Sequence, residues 1–211
     1  EVIVPTNTFV ATANAVYFAG GKAVLSDIDI NTLCASESDI LKRITTETKG
    51  IIAVHVAGIV APNIEKLRAI CKERGLFLIE DVAHATGATL KGAKAGTFSE
   101  AGCFSFYPTK VMSTLIGGMI TTDNKDLADF AKSFRHHGAG GGGLTDIVNL
   151  GNDFCLDELR CAIGITQLEE LFEAFINLIN LAIDEKSPYT GGHCQRVPAL
   201  TMMLAEATDA T

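Results

Sequence analysis

Positive charge is scarce in this sequence, and that scarcity narrows the range of possible partners. The 211 residues include 17 Lys and Arg against 25 Asp and Glu, which gives a formal net charge of −8. A protein that binds nucleic acid or an anionic membrane surface needs a basic face that neutralises phosphates. The sequence therefore predicts no nucleic-acid partner and no membrane partner.

Long apolar runs and targeting patterns are also missing. The longest apolar stretch, residues 171–183, is interrupted by Glu173 and two Asn, and it is shorter than the roughly 20 residues that span a bilayer. No basic segment followed by an apolar one opens the chain, so no signal peptide is predicted. The chain starts without Met at a strand-like segment, residues 1–5, and we expect it to be a piece of a longer protein.

Closely spaced cysteine pairs are absent as well. The six cysteines are scattered, with no CxxC pair among them: Cys34, Cys71, Cys103, Cys155, Cys161 and Cys194. Zinc knuckles need such pairs, and disulfide frameworks occur in small secreted domains. The pattern predicts reduced thiols and a cytoplasmic location.

What the sequence does contain is an alternation of strand and helix patterns. Short apolar runs typical of strands occupy residues 2–4, 23–25, 51–56, 76–79, 102–106 and 119–121. Helical patterns cover residues 64–74, with Gly75 as a stop signal, and residues 125–135. This order predicts an α/β fold, a mostly parallel sheet flanked by helices, whose ligands bind at the carboxyl ends of the strands. The glycine-rich run 138–143 has no strand–turn–helix frame, so we expect a flexible loop there.

Two strand ends carry side chains suited to chemistry. The strand 76–79 leads into Glu80 and Asp81, with His84 close behind, and the strand 102–106 leads through Pro108 to Lys110. A lone Asp at this place often only caps the next helix, and an isolated lysine is usually a solvated charge. Because both groups leave apolar strands of the same predicted sheet, we favour a shared site.

These residues carry a family resemblance. Asp81-Val-Ala-His84 together with Ser105-Phe-Tyr-Pro-Thr-Lys110 resembles the pyridoxal 5′-phosphate (PLP)-dependent sugar aminotransferases of the DegT/DnrJ/EryC1/StrS family. That family has the fold-type I aminotransferase architecture, so the resemblance implies the large domain of a PLP-transferase. The segments 2–15, 49–58, 133–138 and 151–164 are similar to the family in the same order, and the resemblance covers about residues 1–168.

The resemblance implies a role for each site residue. Lys110 would form the Schiff base with PLP and then carry the proton between the substrate and the cofactor. Asp81 would keep the pyridine nitrogen protonated, and His84 would contact the O3′ side of the ring. Ser105 would bind the phosphate, and Phe9 would stack on the ring.

The implied reaction is the transamination of a nucleotide-linked keto-sugar for amino-sugar biosynthesis. Glutamate or glutamine would be the amino donor, and the family's two-subunit sites imply a homodimer. A PLP-dependent sugar dehydratase of the same family is an alternative, disfavoured because such dehydratases have His where Lys110 stands. A non-catalytic fragment or fusion product is the other alternative.

Two departures from the family pattern lead us to expect weak PLP binding and impaired activity in this chain. The family's phosphate-binding Ser-Gly-Thr turn would lie upstream of residue 1. Asp153 takes the place of an Asn that reaches the phosphate of a neighbouring subunit, and Cys155 takes the place of an Arg. A carboxylate facing a phosphate is unfavourable, so the cross-subunit contact is expected to be weakened.

The end of the chain is expected to have another origin. Residues 169–211 resemble the first helices of an HD-GYP-type phosphohydrolase, with His193 and Arg196 placed as in that domain's opening motif. A single His cannot form a metal site, so no metal is predicted. The expected organisation is a partial aminotransferase domain over residues 1–168 and a helical tail over residues 169–211.

Overall fold

A six-stranded sheet is the largest sheet of the structure, a computed structural model that describes residues 1–186. The sheet lies in the first of two units, Glu1–Arg160, and the second unit begins at Cys161. The strands are β1 (Val2–Pro5), β2 (Ala23–Ser26), β3 (Gly50–Val54), β4 (Phe77–Asp81), the hairpin strands β5 (Thr89–Leu90) and β6 (Ala93–Lys94), β7 (Ala101–Ser105) and β8 (Gly118–Thr121).

The strand order in this sheet is β2-β1-β3-β4-β7-β8, with the β5–β6 hairpin outside it. All neighbours are parallel except β7 and β8, which pair antiparallel. Each strand that the sequence predicts overlaps one strand of this sheet. The predicted α/β class, with its mostly parallel sheet, is confirmed.

Both faces of the sheet are covered at its centre, which explains why the central strand β3 reads as an unbroken apolar run. Every residue of β3 is buried, as expected for a strand with helices on each side. On one face Ile3, Ile51 and Leu78 belong to the larger core cluster. On the other face Val4 and Ile52 pack with Val16, which lies on the first helix. Alternate side chains of each strand therefore serve different layers.

Five α-helices lie among the described residues: α1 (Val10–Phe18), α2 (Glu37–Arg43), α3 (Ile64–Arg74), α4 (Lys125–Arg135) and α5 (Glu158–Lys186). The bounds of α3 and α4 match the prediction. Helix α3 ends at Gly75, whose φ of +65° is the left-handed conformation that favours glycine at a helix end. Helix α4 begins at Asn124, whose Oδ1 accepts hydrogen bonds from the amides of Asp126 and Leu127. Over residues 1–186, every helix is too short or too polar to cross a membrane.

The glycine-rich run is not the loop that the sequence predicts. It contains two short antiparallel strands, β9 (Ala139–Gly140) and β10 (Gly143–Ile147). The Gly142 amide donates to Asp146 Oδ2 at 2.9 Å, and a Cβ at Gly140 would lie 2.6 Å from that oxygen. The expectation of a flexible loop was wrong because the bare glycine backbone lets Asp146 fold back over the turn.

The predicted helical tail is described only in part. Helix α5 continues to Lys186. His193 and Arg196 lie outside the described residues, and the predicted boundary at residue 168 stays a prediction.

Close backbone contact across the sheet predicts a steric penalty at Gly102. A Cβ on Gly102 would lie 2.4 Å from Gly96 Cα and 2.9 Å from Gly96 O, so either the strand or the turn must shift. We expect Gly102→Ala to lower the free energy of unfolding by about 1–3 kcal/mol, measured by urea denaturation. Gly141→Ala is the matched control, because no atom lies within 4 Å of its added Cβ. Equal stability of the two variants would contradict the contact.

Candidate active site

Three parallel strands end around one cavity of about 370 Å³. Its walls come from the segments that follow β3, β4 and β7, at the carboxyl edge where α/β sheets bind their ligands. The lining residues are Val56, Ala57, Ala83, His84, Thr109, Lys110 and Val111. A larger cleft of about 560 Å³ between α2 and the start of α3 contains none of the predicted site residues, so the smaller cavity is the candidate active site.

A short turn after β7 places Lys110 on this cavity. The Lys110 amide donates to the Tyr107 carbonyl at 2.9 Å, which closes a four-residue turn with Pro108 at its second position. Proline is favoured there because its ring presets the backbone angle φ. The Tyr-Pro-Thr-Lys sequence therefore folds locally into a turn that presents the lysine, which is half-buried, at the cavity wall.

The Asp81 carboxylate ends β4 on the sheet face that α1 covers. Asp81 Oδ2 accepts a hydrogen bond from Thr12 Oγ1 at 2.8 Å, and Oδ1 accepts one from the Ala83 amide at 3.1 Å. The Thr12 hydroxyl also lies 2.7 Å from the Thr8 hydroxyl. Because Thr12 donates its proton to Asp81, Thr8 is the donor in that pair. The two oxygens of Asp81 are thus oriented, and each retains a lone pair for a further donor.

Glu80 is adjacent to Asp81 in the chain but lies on the opposite face, fully buried. Its carboxylate accepts four hydrogen bonds: from the His55 ring at 2.9 Å, the Gly96 amide at 2.7 Å, the Phe98 amide at 2.8 Å and the Ser99 hydroxyl at 2.8 Å. Burial by itself would raise the pKa of Glu80. The hydrogen bonds, of which the one from His55 is the strongest influence, outweigh burial and hold the pKa below its ordinary value.

The structure brings some of the predicted site residues together. His84 and Lys110 line the same cavity. Asp81 is the last residue of β4, two residues before Ala83, which also lines this cavity. Ser105 is the last residue of β7, and its hydroxyl accepts a hydrogen bond from the Tyr107 amide at 3.4 Å. The direct apposition of Asp81 and Lys110 stays a prediction.

Phe9 lies at the start of α1, one turn before Thr12, and is 73% exposed. Its carbonyl accepts the Thr12 amide, so the ring sits on the same helix end that contacts Asp81. The exposure leaves its face open to a ligand, and the stacking role stays a prediction.

The two departures from the family pattern lie on one exposed segment. Asp153 forms an isolated bridge with His136, and Cys155 Sγ lies 3.7 Å from His136 Nδ1. Both residues are exposed. Their expected effect on a phosphate stays a prediction.

Sequence reasoning missed Thr12, His55 and the burial of Glu80. Thr12 was included only as part of the segment 2–15. It was not recognised as a site residue because α1 has no one-sided apolar pattern that would mark its inner face. Glu80 looked like a second carboxylate of the site. The two-residue period of a strand could have separated it from Asp81, since neighbours on a strand face opposite ways.

The residues at the cavity and at the strand ends beside it fit PLP by their chemistry. Lys110 would supply an amine for the aldehyde, Asp81 at the end of β4 a carboxylate for the ring nitrogen, and Ser105 at the end of β7 a hydroxyl for the phosphate. Ala57 and Ala83 line the cavity with small side chains, which leave room for a ligand. A volume of about 370 Å³ lies within the range of small-ligand sites.

A mostly parallel sheet with an oriented carboxylate and a turn-borne lysine at its carboxyl edge is consistent with the architecture of the PLP-transferase fold. The DegT/DnrJ/EryC1/StrS aminotransferase family profile matches residues 1–177, and the chain belongs to that family. The match continues past residue 168, where the sequence analysis expected the resemblance to end. The comparisons give no support to the HD-GYP resemblance of the tail.

Curated relatives are similar over one part of their length. The chain is 36% identical to GDP-perosamine synthase of Vibrio cholerae over 173 residues, covering 81% of this chain and 46% of that protein. It is 38% identical over 208 residues to UDP-N-acetyl-3-dehydro-alpha-D-glucosamine 3-aminotransferase of Acidithiobacillus ferrooxidans, covering 98% of this chain and 53% of that protein. The chain therefore spans about half the length of the curated relatives it matches.

Solved structures agree with the fold. The aminotransferase PseC of Helicobacter pylori matches with a TM-score of 0.75 and 30% identity, covering 89% of this chain and 52% of that one. DesI, solved with its TDP-sugar product, matches with a TM-score of 0.73 and 33% identity, covering 86% of this chain and 46% of that one. A PLP form of the sugar aminotransferase Spr1654 of Streptococcus pneumoniae matches with a TM-score of 0.73 and 28% identity, covering 80% of this chain and 48% of that one. The family is PLP-dependent, and its structures include PLP-bound forms.

The Thr12–Asp81 hydrogen bond predicts a coupling between these residues. Thr12→Val keeps the shape but removes the donor, so we expect it to lower the free energy of unfolding by about 1.5 kcal/mol, at the low end for a charged acceptor because Asp81 is only half-buried. In an Asp81→Ala background the same substitution should cost far less. Thr12→Ser, which retains the hydroxyl, is the control. Equal costs of Thr12→Val in both backgrounds, measured by urea denaturation, would contradict the coupling.

Proposed function

We propose that the protein is a PLP-dependent aminotransferase that acts on a nucleotide-linked keto-sugar. The observation that carries the proposal is the cavity at the carboxyl edge of the sheet, with Lys110 and His84 on its walls and Asp81 at the end of β4. Relatives named for GDP-linked and UDP-linked sugars support a nucleotide-sugar substrate. When bound, PLP supplies an electron sink for the carbanion of the amino donor.

Lys110 has two tasks in this proposal. Its Nζ would hold the cofactor covalently through the aldehyde, and the same amine, when it is not bound to the cofactor, would move the proton at the substrate carbon. The turn closed by the Tyr107 carbonyl and Pro108 keeps the amine at the cavity wall for both steps.

Asp81 would hold the pyridine nitrogen of the cofactor. Its negative charge would favour the protonated form of that nitrogen. The hydrogen bonds from Thr12 and the Ala83 amide fix the two carboxylate oxygens, so little reorganisation is needed when the ring arrives.

The remaining predicted residues bind and orient the cofactor. His84 would contact the O3′ side of the ring from the β4 wall, Ser105 would donate to the phosphate, and Phe9 would cover one ring face. The amino donor would be glutamate or glutamine. We further propose a homodimer in the cytoplasm, the location in agreement with the free thiols of Cys34, Cys71, Cys103 and Cys155.

A dehydratase of the same family fits less well. Such dehydratases have His at the position of Lys110, and here the lysine lies on the cavity wall.

The PLP affinity is expected to be weakened but specific. Asp153 lies in the segment that would contact the PLP phosphate of a second subunit, and its carboxylate would repel that phosphate.

Borohydride trapping tests the cofactor site even when the affinity is weak. The protein is incubated with PLP, reduced, digested and analysed by mass spectrometry, so that a lysine that formed an imine keeps the phosphopyridoxyl group. We expect the label to concentrate on the Lys110 peptide and to disappear in Lys110→Ala. Asp81→Asn should reduce it about tenfold to a hundredfold, because a hydrogen bond to a charged group is lost.

Lys91→Ala is the matched control for this experiment. Lys91 is 71% exposed and pairs with Glu65 on the surface, so its loss should leave the labelling of Lys110 unchanged. Labelling spread over the exposed lysines in proportion to their exposure, with no preference for Lys110, would overturn the proposed site. Transfer of the amino group from glutamate to a UDP-linked or GDP-linked keto-sugar then tests the substrate class.

A further inference from the structure

Beneath the candidate active site lies a buried polar pair that the proposed chemistry does not use. Glu80 and His55 are both fully buried, and their contact joins Glu80 Oε2 to His55 Nε2 at 2.9 Å. Buried carboxylates are costly unless every lone pair is satisfied. Packing alone therefore does not explain why Glu80 and His55 are buried next to the cavity.

The hydrogen bonds of His55 define its protonation. The Ala61 amide donates to His55 Nδ1 at 3.1 Å, so Nδ1 is an acceptor and carries no proton. The proton lies on Nε2 and is donated to Glu80, which makes the ring neutral and its tautomer defined. Because His55 is neutral, its contact with Glu80 is a hydrogen bond and not an ion pair, and hydrogen bonds balance the charge of Glu80.

The pair ties the β3 wall of the cavity to the end of β4. The His55 amide donates to the Asp81 carbonyl at 3.1 Å. His55 is followed by a 3₁₀ turn, Val56–Gly58, whose Val56 and Ala57 line the cavity. Ala57 has a φ of +52°, a strained conformation that persists only where the surroundings impose it.

The other three hydrogen-bond donors to Glu80 lie outside the cavity. The Gly96 and Phe98 amides and the Ser99 hydroxyl bind the same carboxylate. This turn follows the β5–β6 hairpin and contributes no residue to the cavity lining. Glu80 thus joins three segments that are distant in the sequence, and two of them form walls of the site.

We propose that Glu80 and His55 are positioning residues of the PLP site, which lock the Val56–Gly58 turn against the end of β4 and so orient Asp81. The inference rests on the proposed function. Neither residue touches the cofactor or substrate in this scheme. They act through Asp81, Val56 and Ala57, because the strand alternation that puts Glu80 beneath the sheet points Asp81 toward α1.

The first test compares PLP titrations of three variants with that of the wild-type protein. His55→Leu removes one donor from Glu80 and the acceptor of the Ala61 amide, and Glu80→Gln places an NH₂ group against at least one backbone N–H. We expect PLP affinity to fall about tenfold or more in both, as for lost hydrogen bonds to a charged group. Visible circular dichroism per bound PLP, which reports the orientation of the ring, should change at saturation.

Glu100→Gln is the matched control. Glu100 also binds the backbone of β4, through a hydrogen bond of 2.8 Å from the Leu78 amide, but it does so near the opposite end of the strand. This variant should lose stability without any change in the circular dichroism of bound PLP. If His55→Leu and Glu80→Gln alter stability alone, as Glu100→Gln does, the positioning role is wrong.

A second measurement needs no substitution, and it decides the matter if the variants do not fold. In the wild-type protein, PLP should slow amide hydrogen exchange in residues 55–61 and also in residues 96–99, which do not line the cavity. Protection limited to the lining segments would overturn the proposal. Lack of any Lys110-specific trapping in the wild-type protein would instead reject the proposed function, so the two failures are distinguishable.

Discussion

The alternation of side chains along β4 is the constraint on which the site depends. Two adjacent carboxylates, Glu80 and Asp81, end this strand, and the pleat sends them to opposite faces of the sheet. Glu80 enters the larger core side and is saturated by four donors, whereas Asp81 faces α1 and keeps free lone pairs. A slip of one residue in the register of β4 would exchange the two environments. This alternation alone separates the carboxylate of Glu80, which stabilises the fold, from the carboxylate of Asp81, which is available to a ligand.

The parallel order of the strands explains where the cavity lies. Because β3, β4 and β7 are parallel neighbours, their carboxyl ends lie side by side, and the segments that leave them face a common space. Each segment then turns in a different way: His55 is held by Glu80 of the neighbouring strand, Val82 begins a turn closed by the Ala85 amide, and Pro108 shapes the turn before Lys110. The site is therefore a product of strand order and of three turns.

Much of this could be predicted from the sequence. The apolar runs predicted the six sheet strands, and Gly75 marked the end of α3, because these signals are local. The placement of Lys110 and His84 at strand ends followed from the rule for α/β sheets. The Thr12–Asp81 and His55–Glu80 contacts could not be predicted, because they join residues 69 and 25 positions apart through tertiary packing. The β9–β10 strands were missed since glycine-rich runs carry no apolar period.

The central claim is that this carboxyl edge binds PLP between Asp81 and Lys110. The most direct measurement is a crystal structure of the protein, in the longest form that can be produced, grown with PLP. The account predicts the pyridine nitrogen within hydrogen-bond distance of the Asp81 carboxylate and Lys110 Nζ bonded to the aldehyde carbon of the cofactor. PLP bound in the larger cleft between α2 and α3, or a Lys110 side chain directed away from Asp81 in the PLP-bound protein, would contradict it.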